Sequence, residues 1–420
     1  MKHKIPFVVI FILLLPLIAR AEETSLTLDE AVSVALRDSR DILLKAQDLE
    51  KAKIKIAEAV AGLLPSLTFT GGWTETRGYY GKDLGQTTTQ ATLKQYLYKG
   101  GSIVNTIKYD KDNLRVTQAI LDKTKLEVVL NVKKAFYTLL LANEFANLNK
   151  EILVNTQEHL AAIRLRYENG QTSESDILKI KHSQAVVEEA YAASLNQVES
   201  AQTILKNLLY LDGAVQIKPQ GEFVYAPREI AYDDAFLTAM RARPEIRQYE
   251  AQEEANKKAI EITKAGTRPS ISAAWDYYSR SHIAATSTKN WNDYNVIGLT
   301  FSWPIFDGWA TKSKVEQAIV DLKETRLLKE KAIKDIALEL KNAYLDLKNS
   351  LAKVKATQEQ FNLYRDTFLV TQEKYKSGQV SSLDLNDAVL GTHVSLFNQK
   401  EAIYDYVLAK ARFDKASGGL

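Results

Sequence analysis

Two long proline-free stretches constrain this chain most, one from about Ser102 to Glu168 and one from about Trp309 to Lys376. Each runs into a Gly-Gln pair, Gly170-Gln171 and Gly378-Gln379. At about 1.5 Å per residue, ~67 helical residues make a rod of roughly 100 Å. Such a rod is not the core of a small globule and has to pack along other helices. Val129, Val132, Phe136 and Leu139 supply a seam at steps of 3, 4 and 3, with charged residues between. Ala337, Leu340, Tyr344 and Leu347 repeat those steps, which is coiled-coil spacing. Glycine commonly ends helices, so return helices are predicted from about Ser173 to Tyr210 and from about Ser381 to Ser417.

The two stretches belong to an internal duplication. Leu28-Asp29-Glu30-Ala31 matches Tyr232-Asp233-Asp234-Ala235, and Pro65-Ser66-Leu67 matches Pro269-Ser270-Ile271, both at an offset of 204. The offset then becomes 208, where Leu97-Tyr98-Lys99-Gly100 matches Ile305-Phe306-Asp307-Gly308. Tyr167-Glu168-Asn169-Gly170-Gln171 matches Tyr375-Lys376-Ser377-Gly378-Gln379 at that same offset, and Ser173 and Asp176 match Ser381 and Asp384. A period this long marks two copies of one structural unit. The predicted layout is a first repeat over residues 22–212, a linker over 213–228 and a second repeat over 229–420. Each repeat reads as a helix (about Leu28 to Leu64, about Tyr232 to Gly266), two strands, the long helix and a return helix. Thr27 with Asp29 and Glu30 gives the first helix a capped, acidic start.

The strand segments carry the membrane signal. Leu67, Phe69, Gly71 and Trp73 alternate with Thr68, Thr70, Gly72 and Thr74. Ile271, Ala273, Trp275 and Tyr277 alternate with Ser272, Ala274, Asp276 and Tyr278, and Ile297, Leu299, Phe301 and Trp303 with Val296, Gly298, Thr300 and Ser302. A fourth segment, Ala91, Leu93, Gln95 and Leu97 against Thr92, Lys94, Tyr96 and Tyr98, alternates less cleanly. About ten residues per segment suits a tilted transmembrane strand with one face to lipid and one to a polar lumen. All five tryptophans (Trp73, Trp275, Trp291, Trp303, Trp309) lie in or beside these segments, as an interfacial girdle requires. The competing reading is a pair of soluble hairpins on a helix bundle. Four strands cannot close a barrel and open edges do not survive in lipid, so several chains would have to share one barrel.

Composition removes other classes. Lys2, His3 and Lys4, the apolar run Pro6 to Ile18 and Ala19-Arg20-Ala21 have the layout of a secretory signal peptide over residues 1–21. The run is short for a membrane anchor, which takes about 20 apolar residues. The chain holds 55 Lys+Arg against 52 Asp+Glu, and removing Lys2, Lys4 and Arg20 leaves the two signs equal. No basic excess remains for nucleic acid. Cysteine is absent, which excludes disulfides, thiolate metal sites and a Cys nucleophile. His159, His182, His282 and His393 fall in no metal motif, and no phosphate-cradling or nucleophile motif is present. The sequence therefore predicts no enzyme activity, no cofactor and no metal.

With these residues in hand, the chain resembles the TolC-type outer membrane efflux protein family. The carriers are the duplicated helix start Leu-Asp-Glu-Ala-Val, Leu-Leu-Pro-Ser-Leu before the first strand, Tyr-Lys-Gly-Gly after the second, and the paired Tyr-x-x-Gly-Gln-x-Ser turns. The resemblance implies a mainly α fold with a membrane β-barrel portion. Four strands per chain would make a twelve-stranded barrel in a homotrimer, embedded in outer membrane lipid above a coiled-coil tunnel in the periplasm. It implies a passive exit duct for efflux or type I secretion, fed by an inner-membrane transporter through a periplasmic adaptor. The alternative is a periplasmic coiled-coil scaffold without a pore. Carried over, Tyr167, Gly170, Gln171 and Ser173, with Tyr375, Gly378, Gln379 and Ser381, would be adaptor-contacting tips. Asp384 and Asp387 would form the periplasmic gate, although Ser381-x-x-Asp384 also reads as a helix cap. Trp73, Trp275, Trp291 and Trp303 would lie at the membrane interface.

Overall fold

The computed structural model describes residues 23–79, 82–223, 225–227, 231–284 and 290–419. The expected signal peptide, residues 1–21, lies outside them. In chain order the elements are β1 (Glu23–Thr27), α1 (Leu28–Asp38), α2 (Arg40–Ala61), β2 (Ser66–Tyr79), β3 (Lys82–Lys99), α3 (Ser102–Glu168), α4 (Glu174–Leu209), β4 (Gln216–Gln220), α5 (Tyr232–Ala242), α6 (Pro244–Lys264), β5 (Ser270–Ala284), β6 (Asn290–Ser302), α7 (Ala310–Lys376) and α8 (Ser382–Ala416). No described helix is long and apolar enough to cross a membrane.

The chain folds as two compact units. One comprises the residues up to Ser33 together with Ala135–Glu222. In it β1 pairs in parallel with β4, from Glu23 opposite Gln216 to Thr27 opposite Gln220. β4 lies within the stretch expected to be linker. The Thr27 backbone and hydroxyl both donate to the Glu30 carboxylate at 2.9 Å, and the Glu30 N–H donates to the Thr27 hydroxyl. This reciprocal cap starts α1 at the predicted place. Along α4 the buried residues Ile180, Val187, Ser194 and Ala201 recur at coiled-coil spacing. Ile180 closes a small core with Leu160 and Ile163 of α3, against which Ile177 packs.

The second unit comprises Val34–Lys134 and Phe223–Leu420. α7 packs along α8 and along α6. The buried line of α7 runs Ile336, Leu340, Ala343, Leu347, Ser350, Val354 and Thr357, alternating steps of 4 and 3. The expected seam was right at Leu340 and Leu347 and one residue late at Ala337 and Tyr344. Tyr344 instead meets the rings of Tyr232 and Phe413.

The single helices expected at the start of each repeat are each broken. α1 gives way to α2 at Ser39, and α5 to α6 at Arg243, which takes ψ 126°. Pro244 accounts for the second break, because a residue before proline is pushed out of the helical region. Ser39 occupies the equivalent position, with ψ 124° and a buried side chain. Arg243 is only 3% exposed. Its guanidinium donates to Glu245 at 3.0 and 3.1 Å, to Glu339 of α7 at 2.6 Å and to the Lys415 carbonyl of α8 at 3.1 Å. Lys415 also donates to Glu339 at 3.1 Å. Burial opposes ionisation of Glu339, but the Arg243 and Lys415 charges outweigh it and hold its carboxyl below the usual range. One side chain thus ties the α5–α6 break to two long helices. Arg243→Met should leave Glu245 without its cation and Glu339 with Lys415 alone, and cost about 1–3 kcal/mol, as losing hydrogen bonds to charged groups does. Thermal unfolding of the purified variant checks this, and an unchanged melting temperature would show the network to be dispensable.

Candidate functional site

Strands β2, β3, β5 and β6 form one antiparallel sheet in that order. The β3–β5 pairing joins the two repeats, with Leu93 opposite Trp275 and Gln90 opposite Tyr278. Residues paired directly across antiparallel strands share a face, so the register assigns every side chain. One face carries Leu67, Phe69 and Trp73 of β2, Leu93 and Ala91 of β3, Ile271, Trp275 and Tyr277 of β5, and Ile297, Leu299 and Phe301 of β6. Its large apolar groups are in the open, with Phe69 74% and Ile297 84% exposed. The other face carries Thr68, Thr70, Thr92, Gln90, Asp276, Tyr278, Arg280, Tyr294 and Thr300. Polar exceptions on the apolar face include Glu75 of β2, Gln95 of β3, Ser279 and Ser281 of β5, and Asp293 and Asn295 of β6.

The fourth segment alternates poorly for a physical reason. The register slips between Tyr96 and Tyr98, so Leu97 is an extra residue in β3. Such a bulge inverts the alternation of the residues beyond it. Tyr98, grouped by simple alternation with the polar set, instead pairs with Ile271 on the apolar face, and Lys99 joins Tyr96 on the polar one. Trp73 and Trp291 lie toward the hairpin ends, on a single row that runs Trp73, Thr87, Ser281, Trp291 across the four strands. Trp303 follows β6 at the helix-proximal end and donates to the Thr267 carbonyl at 3.1 Å. Trp275 sits between, level with Leu93 and Ile297.

The polar face holds a side-chain network that simple alternation did not single out. The Gln90 amide donates to Thr92, Asp276 and Tyr278, each at 3.0 Å, and the Thr92 hydroxyl donates to Asp276. Tyr278 and Tyr294 stack with centroids 5.0 Å apart, and the Arg280 guanidinium lies 5.0 and 5.5 Å from the two rings.

The far ends of the long helices carry the two Gly-Gln turns. α7 covers 67 residues between the sheet and its turn, a distance of about 100 Å. At Gly378 the chain takes φ +76°, the Gly378 N–H donates to the Tyr375 carbonyl and the Gln379 N–H to that of Lys374. Gly170, at φ +68°, repeats the pattern with Tyr167 and Arg166. This is the Schellman ending, in which a left-handed glycine lets two amides satisfy the last carbonyls. The next helix starts two or three residues on. Ser381 caps α8 reciprocally: its N–H and hydroxyl donate to the Asp384 carboxylate at 2.9 and 2.7 Å, and the Asp384 N–H donates back to the hydroxyl at 3.2 Å. Ser173 and Asp176 do the same for α4, with Thr172 donating as well. Tyr167, Gln171, Ser173, Gln379 and Ser381 are exposed, and Tyr375 is half-buried.

Asp384 is therefore committed to its cap. Asp387, a turn further on, is exposed and makes no ion pair with a described residue. The hydroxyl of Ser381 and then its N–H hold the Asp384 carboxyl below its ordinary range, and Ser173, then Thr172, do the same to Asp176. A depressed folded value means that the cap contributes fully above the ordinary Asp value of about 3.9 and is lost as pH falls through the lower folded value. Amide exchange in the first turns of α4 and α8 should therefore quicken as pH drops below about 3.9, after correction for intrinsic rates. In Ser381→Ala that acid-dependent rise should shrink at α8 and persist at α4. An equal rise at both helices in the variant would contradict the capping account.

A model of the outer membrane efflux protein family matches residues 31–209 and 238–419. The alkaline protease secretion protein AprF of Pseudomonas aeruginosa is 23% identical over 428 residues, covering 96% of this chain and 87% of that protein. The outer membrane protein TolC of Escherichia coli is 22% identical over 402 residues, covering 89% and 78%. Among solved structures, the Campylobacter jejuni CmeC outer membrane channel superposes with a TM-score of 0.79 at 18% identity, covering 93% of this chain and 85% of that one. CusC superposes with a TM-score of 0.77 at 19% identity, covering 94% and 92%.

Proposed function

This chain belongs to the outer membrane efflux protein family and is an outer membrane exit duct of the efflux or type I secretion kind, and from that premise we propose that three copies share one barrel. The sheet carries this reading. It has one apolar face, one polar face and two edges, on β2 and β6, that are paired on one side only among the described residues. Unpaired backbone groups cost several kcal/mol each in hydrocarbon. Pairing β6 of one copy with β2 of the next removes every edge. Two copies would give about eight strands, whose interior fills with side chains, whereas about twelve strands leave a pore. The apolar face then meets lipid and the polar face lines the lumen. Trp73 and Trp291 suit one membrane interface and Trp303 the other, twelve residues beyond Trp291 along the line of β6. Tilted, that is roughly the 25 Å apolar band of such barrels. Trp275 lies within the band.

The long helices extend into the periplasm as a tunnel. The turns around Tyr167, Gly170, Gln171 and Ser173, and around Tyr375, Gly378, Gln379 and Ser381, are the tips that meet a periplasmic adaptor, which couples the duct to an inner-membrane transporter. Their caps satisfy the turn backbone internally and leave the Gln171 and Gln379 side chains exposed. Asp387 is the better constriction residue, because the Asp384 carboxylate is already occupied by Ser381.

Three Asp387 carboxylates around one axis would attract divalent cations. Asp387→Asn should weaken block of the bilayer-reconstituted pore by divalent ions by roughly tenfold, equivalent to about 1.4 kcal/mol. Single-channel recordings with the ion added to each side in turn check it. Unchanged block in that variant moves the constriction elsewhere.

A further inference from the structure

The polar face of the sheet is unevenly charged. Among its described side chains the cations are Lys94 and Lys99 of β3 and Arg280 of β5, and the one carboxylate is Asp276. That carboxylate is held by Thr92 and Gln90 and pairs directly with none of these cations, although its charge remains. None of the three cations makes an ion pair with a described residue. Lys94 and Lys99 each place their ammonium 4.9 Å from the centroid of the Tyr96 ring. The Leu97 bulge brings them there, since without the slip Lys99 would face lipid. Two ammonium groups are thus held around one ring with no acid between them. About twenty ångströms along the strand toward the hairpins, at about 3.3 Å per residue, Arg280 lies against Tyr278 and Tyr294. Its Nε is buried from solvent and has no hydrogen-bond partner. Aromatic rings hold these cations in place by cation–π attraction without cancelling their charge.

We propose that this face is an anion-binding collar in the membrane sector of the pore, recognising phosphate or carboxylate groups on the cargo that passes through it. The inference rests on reading the polar face as the barrel lumen. In three copies the collar would carry nine cations against three engaged carboxylates. A low-dielectric wall around such a lumen focuses the field and concentrates anions there. The membrane sector would then select charge of the sign opposite to that favoured at the Asp387 end. The duct would suit cargo that is anionic, or that travels with an anionic group leading.

Isothermal titration of inorganic tripolyphosphate into the detergent-solubilised mature protein at low salt tests this, with light scattering to report the oligomer. Wild type should bind, with affinity falling as salt rises. The Lys94→Gln, Lys99→Gln, Arg280→Gln triple variant should lose at least about tenfold, and Asp276→Asn should bind slightly tighter. Lys94→Gln with Lys99→Gln alone, which leaves the stacked tyrosines untouched, serves if the triple variant misfolds and should lose most of the binding. No binding to wild type, or equal binding to wild type and the lysine variant, overturns the collar. A protein that binds in this way yet runs as a monomer supports the anion site and contradicts the shared barrel instead.

Discussion

The structure depends on backbone groups that a single chain leaves unpaired. β2 and β6 end a four-stranded sheet whose apolar face carries Phe69, Ile297, Leu299 and Phe301 in the open. In water that face would aggregate, and in lipid the edges could not be tolerated. A closed ring of sheets, as proposed for three copies, would meet both demands at once. The same closure would put Thr92, Gln90, Asp276 and Arg280 around a lumen. On the proposed shared barrel, association, membrane insertion and pore formation would be one event, driven by the same unsatisfied hydrogen bonds.

The helices solve a different problem, that of reaching far from the sheet with little core. α7 has no central globule to pack on, so its stability comes from a narrow line of Ile336, Leu340, Ala343, Leu347 and Val354 against neighbouring helices. A narrow seam needs firm ends. At the turn, Gly378 and Ser381 finish one helix and start the next, satisfying carbonyls of the last turn of α7 and an amide of the first turn of α8. At the other end of α8, Arg243 grips the Lys415 carbonyl and two carboxylates. The fixed ends let the middle be thin, and a thin wall suits a tunnel.

The sequence was most legible where chemistry is local. The Gly-Gln turns and Ser-x-x-Asp caps are decided within about six residues by glycine's access to positive φ and by short side chains reaching nearby amides, and they stand where the spacing put them. The strand alternation at Leu67, Phe69 and Trp73 read correctly because period two is strict. It failed at Leu97, since a bulge is a property of pairing and not of one strand. The break at Ser39 carried no proline to announce it, and the one at Pro244 was masked by the helical pattern on either side. β1 and β4 are five residues each and β4 contains Pro219, so neither looks like a strand until it meets the other. The cation excess around Tyr96 needed coordinates, because it turns on which neighbours a charged group already has.

The absence of cysteine makes the central claim directly testable. Within one chain β2 and β6 are separated by β3 and β5, three spacings of about 4.8 Å, which is beyond the reach of a disulfide. Cysteines placed singly along β2, at Thr68, Thr70 and Thr74, and along β6, at Thr300, Gly298 and Val296, should form a bond only between copies. In outer membranes oxidised without heating, matched β2–β6 pairs should give covalent trimers on a denaturing gel, and single cysteines should not. If every pair across the scan remains monomeric while the protein is folded in the membrane, the shared barrel is wrong.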